Sequence, residues 1–205
     1  ADRIAVITFA GSSTIVSGFT ADRDLLRQRI ETIDTLRGDT KLYDAINFTM
    51  SQIKKDANNA RRSAIVVMSD GLDGTIPGIS GQVGSQTSYR ETLSNIQEFD
   101  GVLYTLWLNT EYEAMSPEDT QPEAFDAGHD RMKEMAESGG GVFYEVEKLT
   151  DLAGAYEQVV ADLGTVYSLA YKPSNNARDG HWRAIRIGVN RSNAVARGKR
   201  GYYAN

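Results

Sequence analysis

Short apolar runs alternate with amphipathic helical stretches along most of this chain, and no other feature narrows its fold as much. Ala64 to Met68, AIVVM, is apolar at every position, as a strand covered on both faces must be. Ile4 to Ala10, Val102 to Leu108 and Val142 to Val146 are mostly apolar runs, interrupted by Thr8, Thr105 and Glu145, and also read as strands. Between them, apolar residues recur at spacings of three and four. Examples are Leu26, Ile30 and Ile33 within 21–36, and Leu42, Ala45, Ile46, Met50 and Ile53 within 40–58. Tyr89, Leu93 and Ile96 follow the same rule, as do Phe125, His129, Met132 and Ala136, and Leu152, Tyr156, Val159 and Leu163 within 150–163. These stripes predict helices. Strands alternating with helices predict an α/β fold: a doubly wound, mostly parallel sheet with helices on both faces, of Rossmann type. Thr14 to Phe19, after the Gly11-Ser12-Ser13 turn signal, predicts an antiparallel edge strand.

The period changes after residue 164. Val166 to Lys172, Trp182 to Val189 and Ala194 to Tyr203 alternate as strands do, so the chain divides into an α/β domain at 1–164 and a three-strand β extension at 165–205. That extension is basic. It holds eight Lys or Arg against the single acid Asp179, a charge of +7, and the total of −6 leaves −13 for residues 1–164. With neither a basic helix nor interleaved base-stacking aromatics, the sequence does not point to nucleic acid, and the extension is expected to lie against its own acidic body. At 205 residues the chain can bury roughly 70% of its unfolded surface. The absence of cysteine excludes disulfides, thiolate metal sites and cysteine nucleophiles. No apolar run approaches the ~18–20 residues that span a bilayer, so membrane insertion is not expected.

Ligands of doubly wound sheets bind beyond the carboxyl ends of the strands. Two segments fall there: Gly38-Asp39-Thr40-Lys41-Leu42, opening a helix, and Met68-Ser69-Asp70-Gly71, closing the most apolar strand. A hydroxyl at Thr40 and a carboxylate at Asp70 are oxygen ligands suited to Mg²⁺.

The segments GDTKLYDAI (38–46) and IVVMSDGLD (65–73) resemble the threonine-containing and strand-plus-aspartate segments of von Willebrand factor A-like domains. DRIAVITFAG (2–11) resembles their second strand, and the ending from YSLAYKP to ARGKRGYYA resembles a secreted bacterial, VWFA-related subfamily. The resemblance implies a non-enzymatic adhesion-type module, exported, periplasmic or in the cell envelope. It would recognise an acidic side chain of a protein partner through Mg²⁺, Mn²⁺ or Ca²⁺ at a metal-ion-dependent adhesion site, or MIDAS. Thr40 and Asp70 would be metal ligands, with Asp39, Ser69 and Asp73 at the periphery. The family's principal metal motif, Asp-x-Ser-x-Ser, occurs nowhere in the 205 residues. In the family it follows a first strand lying between the equivalents of 4–10 and 64–68. That strand and the first helix are therefore expected upstream or from another chain, unless the sheet closes in a modified order.

Each candidate also has a plainer reading. Asp70 fits an Asx-turn, Thr40 fits a helix N-cap, Asp39 fits a helix-start charge, and Asp73 fits a solvated loop acid. Within the Gly-rich loop 71–85, the stretch Gly78-x-x-Gly81-x-x-Gly84 lacks phosphate-loop spacing and reads as a mobile surface loop, and the acidic stretch 111–126 as a solvated connection. His129 falls on an apolar stripe and is expected to be partly buried and hydrogen-bonded. Trp182, Tyr202 and Tyr203 are expected to pack within the sheet. No Gly-x-Ser-x-Gly elbow accompanies the two histidines, so the catalytic alternative reduces to a hydrolase using Asp70. A metal-independent scaffold with a vestigial site is the other alternative.

Overall fold

A computed structural model describes residues 2–34, 38–56, 62–110, 121–167 and 169–204. The apolar run at 64–68 becomes β3 (Ala64–Ser69), which pairs in parallel with β4 (Val102–Leu108). β4 pairs in parallel with β5 (Gly140–Val146), giving the order β3-β4-β5. Because side chains alternate along a strand, Ile65 and Val67 face one layer while Val66 faces the other. The first layer holds α2 (Leu42–Lys55), α3 (Tyr89–Glu98) and α4 (Pro122–Ser138), whose Leu42, Tyr43, Ile46, Ile96, Met132 and Met135 are buried with Leu103. Each such side chain contributes about 1.5–3 kcal/mol of transfer free energy. The second layer is α5 (Leu152–Gly164), which lays Ala155 and Val159 on Tyr104, Leu106 and Val146.

β1 (Ile4–Phe9) and β2 (Ser13–Thr20) form an antiparallel pair, the edge hairpin expected from the turn signal. They constitute a separate two-stranded sheet: β1 bonds only β2, and β3 bonds only β4. α2 bridges them, lying against both β1 and β3, and Phe9 of β1 joins the core around Ile65 and Val67. The modified strand order, with 4–10 paired directly to 64–68, is thereby ruled out.

Helix ends follow local chemistry. The Asp22 carboxylate accepts from the Asp24 and Leu25 amides at the start of α1 (Arg23–Glu31), and Ser88 accepts from Glu91 at the start of α3. α4 opens with Pro122 in its first turn, so the second part of the acidic stretch is helical rather than connecting; its residues 111–120 lie outside the described residues.

Three expectations need correction. α1 is shorter than 21–36, and of its stripe only Leu26 is buried; Ile30 is 50% and Ile33 37% exposed. In α5, Tyr156 turns away from the sheet and is 50% exposed. The extension holds two short antiparallel strands, β6 (Trp182–Ala184) and β7 (Gly201–Tyr203), not three among the described residues. Tyr167 and Leu169 point outward with no strand paired to them, and alternation without a partner does not make a ladder; Tyr171, still 58% exposed, meets the Tyr202 ring of β7 edge to face at 6.3 Å. The extension does meet its acidic body, through Arg200 with Glu137 at 2.6 Å and Arg197 with Asp162 at 3.7 Å. Lys199 also caps the carbonyls of Gln97 and Phe99 at the end of α3. Trp182 and Tyr203 meet edge to face, 5.1 Å apart, but both remain more than a third exposed.

Candidate functional site

The carboxyl ends of β3 and β4 and the start of α2 meet one loop, residues 71–88, which forms a crown over this end of the domain. Asp73 organises it. Its carboxylate is fully buried and accepts five hydrogen bonds. One oxygen takes the Thr75 amide (3.0 Å), the Thr75 hydroxyl (2.8 Å) and the Ser85 amide (3.1 Å). The other takes the Ser85 hydroxyl (2.5 Å) and the Tyr43 amide (3.3 Å). A buried carboxylate is tolerated when its lone pairs are filled in this way. The reading of Asp73 as a solvated loop acid is therefore wrong. Leu72, Ile76 and Ser85 are buried as well, and the Gly78–Gly84 stretch between Ile76 and Ser85 lies at the surface, with Val83 67% exposed.

The same bonds settle how α2 begins. The N-cap position is Lys41 and supplies no side-chain bond, so Thr40 is not the cap. Asp73 and the Ser85 hydroxyl satisfy the orphan amides of Tyr43 and Asp44 instead. Asp44 reciprocates by accepting the Gln86 and Thr87 amides, both at 2.9 Å. Partial burial would raise its pKa, but those two amides, together with the Thr87 hydroxyl and the Lys41 charge, outweigh burial and lower it. Asp39 lies three residues before the first helical residue, and the acid in the first turn is Asp44.

Thr40 and Asp70 border this crown from two sides. Thr40 accepts the Gly74 amide on its carbonyl (3.0 Å) and donates its own amide to Gln82 (3.3 Å). Asp70 forms the Asx-turn: one carboxylate oxygen accepts from the Leu72 amide (3.1 Å), while Ser69 bonds the Gly71 amide (3.1 Å). The other carboxylate oxygen accepts from the Thr110 hydroxyl (3.1 Å), and the Asp70 carbonyl accepts from the Trp107 indole (2.8 Å). Among the described residues no three His, Cys, Asp or Glu side chains group as a metal site. One free-standing hydroxyl and one carboxylate already holding three donors, the Leu72 amide and the Ser69 and Thr110 hydroxyls, fall short of the near-octahedral oxygen set of Mg²⁺. These residues alone do not fit the metal.

His129, on α4, adjoins the crown through Trp107. Its ring stands edge-on to Trp107 and to Phe143, 4.9 Å from each. Its nitrogens meet Glu145 (3.0 Å) and Asp130 (3.2 Å). Burial would depress its pKa, but the two carboxylates together overcome that and raise it. The partly buried, hydrogen-bonded histidine expected from the helical stripe is what the structure has. The sequence did not point to Ser85, Asp44, Trp107 or Thr110. Their partners lie 12 to 43 residues away, beyond any local motif.

The sequence profile of the von Willebrand factor type A domain matches residues 1–72, a span that contains β1, β2, α2, β3 and both Thr40 and Asp70. No curated protein sequence matches the chain. Among solved structures it is similar to the conserved hypothetical protein BatB from Bacteroides thetaiotaomicron, at 16% identity and TM-score 0.56 over 80% of each chain. It is also similar to an aerotolerance-related membrane protein from Bacteroides fragilis, solved with multiple mutations to serines. There the identity is 17% and the TM-score 0.52, over 78% of this chain and 79% of that one. At these identities the likeness is one of fold.

Proposed function

Because this chain is a von Willebrand factor A-like α/β domain, we propose that it is a non-enzymatic protein-binding module whose recognition surface is the crown at the carboxyl ends of β3 and β4. The observation that carries this reading is the saturated Asp73 network. It ties the start of α2 to the loop after β3, while Thr40 bonds Gly74 and Gln82 of that loop and Trp107 and Thr110 hold Asp70, and fixed loops on a sheet are how scaffolds present binding surfaces. The partner is a protein offering an acidic side chain, and the module works outside the cytoplasm, in or beyond the cell envelope. No helix among the described residues is long and apolar enough to cross a membrane.

Metal-dependent capture belongs to a domain in which further oxygen ligands join Thr40 and Asp70. Titration calorimetry with MgCl₂ and MnCl₂ separates the contributions. The 205-residue chain should show no saturable binding below about millimolar metal, whereas a chain extended upstream should bind, and Asp70→Ala should abolish that binding. Binding by the extended chain that survives Asp70→Ala would remove the metal from the proposal and leave the crown. The competing reading, a metal-independent scaffold, draws on the three donors already occupying the Asp70 carboxylate. It predicts partner capture that is unchanged in EDTA.

A further inference from the structure

The C-terminal extension and the crown occupy opposite ends of the α/β domain. The contacts that root the extension lie where strands begin and helices end. Arg62, two residues before β3, donates to the Val166 carbonyl, and Lys199 caps the end of α3. Arg200 reaches Glu137 in the last turn of α4, and Arg197 reaches Asp162 in the last turn of α5. In a parallel sheet with crossover helices, those positions mark the pole away from the carboxyl ends of the strands, where Asp70 lies. Of the extension's eight cations, Arg197, Lys199 and Arg200 thus meet the body, and Arg183 holds Asp179 at 2.8 Å. Lys172, Arg178, Arg186 and Arg191 pair with no acid among the described residues. Apolar side chains are interleaved with them. Tyr167, Leu169 and Tyr171 recur at every second position up to Lys172, Ile187 and Val189 follow Arg186, and Val195 follows Arg191. All six are exposed, Tyr167 to 83% and Val195 to 87%.

A partner for this surface has to take up positive charge and apolar side chains together. A nucleic acid or an acidic peptide would answer the cations and gain little from Leu169, Ile187, Val189 and Val195. An anionic bilayer answers both, because its headgroups attract Lys and Arg while its interface accepts Tyr, Trp and aliphatic side chains. We propose that the extension is a peripheral docking surface for an anionic phospholipid bilayer, and that it holds the crown pointing away from the lipid. Charge selects this orientation: a surface that attracts the extension, at +7, repels residues 1–164, at −13. Trp182, on the terminal hairpin and 38% exposed, enters the headgroup region, while Trp107 stays beside Asp70 at the far end. The attachment needs no spanning helix. Each unpaired cation strengthens it about fivefold, provided it lies within the screening length of about 8 Å at physiological ionic strength.

The test is co-sedimentation of the 205-residue chain with phosphatidylcholine vesicles, prepared with and without about 30% phosphatidylglycerol. Partition onto the anionic vesicles should exceed that onto the neutral ones by at least about tenfold, and should vanish at about 1 M NaCl, where screening is nearly complete. Lys172→Gln, Arg178→Gln, Arg186→Gln and Arg191→Gln combined should weaken it at least about tenfold with Tm unchanged, since exposed unpaired cations carry no stability. Tyr167→Ser with Leu169→Ser should weaken it severalfold at unaltered charge. With brominated lipid, the emission of the bound protein should be quenched, and Trp182→Phe should abolish the quenching. Equal binding to neutral and anionic vesicles, or none to either, would overturn the proposal. So would duplex DNA or polyglutamate that binds as tightly as the anionic vesicles and is indifferent to the two serine substitutions, because the occupant would then be a soluble polyanion. Quenching that is absent from the wild type, or that persists in Trp182→Phe, would overturn it as well, the latter by placing the crown against the lipid. None of these failures touches the crown as a protein-binding surface, which the metal and partner titrations test on other residues.

Discussion

At the scale of single residues, the crown depends on one carboxylate. Removing Asp73 leaves five donors without their acceptor: the Tyr43 amide and the Ser85 amide and hydroxyl, on buried residues, and the Thr75 amide and hydroxyl, on an exposed one. Each buried donor left unmade costs about 1–3 kcal/mol, partly recovered by relaxation. Asp73→Ala is therefore expected to destabilise the domain by about 3 kcal/mol in urea unfolding, with no change in slope. His129 gives a pH dependence. Its pKa is raised in the folded state by Glu145 and Asp130, so its stabilising contribution is complete below its unfolded value, about 6.5. That contribution is lost as pH rises through the folded value. Glu145→Gln should lower the His129 midpoint in an NMR titration and flatten this part of the stability profile. How much of the site was legible follows from range. Asp70 lies at the end of a continuous apolar run and its Asx-turn spans two residues, so the sequence pointed to it directly. Asp73 carries the same Asp-x-x signal, and only partners 12 and 30 residues distant make it a buried anchor.

At the scale of elements, the loop after β3 depends on backbone freedom at Gly71. Its φ is +81°, and a Cβ there would lie 2.5 Å from the Gly128 carbonyl oxygen of α4. The left-handed conformation alone costs a residue with a side chain about 1–3 kcal/mol, and the clash cannot relax without moving α4. Gly71→Ala should accordingly lower stability by more than that conformational cost, and calorimetric Tm reads it. The sequence located every strand of the parallel sheet to within about two residues because continuous apolar runs have few alternative uses. It did less well where apolar periodicity had no surface to meet. Ile30 in α1 and Tyr156 in α5 have the spacing of core residues and half their surface in solvent. Tyr167 and Leu169 have strand alternation and no neighbouring strand. Periodicity records which face an element offers, and the burial of that face depends on what else is present.

At the scale of the whole molecule, charge is divided between the two parts of the chain, −13 in residues 1–164 and +7 in 165–205. Part of that attraction is realised in the Arg197–Asp162 and Arg200–Glu137 pairs, whose arginines are more than half exposed. Exposed pairs are worth about 0–1 kcal/mol and weaken with salt, whereas the α/β core rests on burial. Raising NaCl to about 1 M, where the screening length falls to about 3 Å, should speed hydrogen exchange in β6 and β7 and leave β4 unaffected. The chain's two tryptophans divide in the same way. Trp107 is clamped between the Asp70 carbonyl and the His129 ring, while Trp182 belongs to the terminal hairpin and touches Tyr203. Indole emission is sensitive to hydration and is quenched by a neighbouring imidazolium. With Trp182 replaced by phenylalanine, the remaining fluorophore becomes a built-in optical gauge of the crown, dimming as His129 takes up a proton.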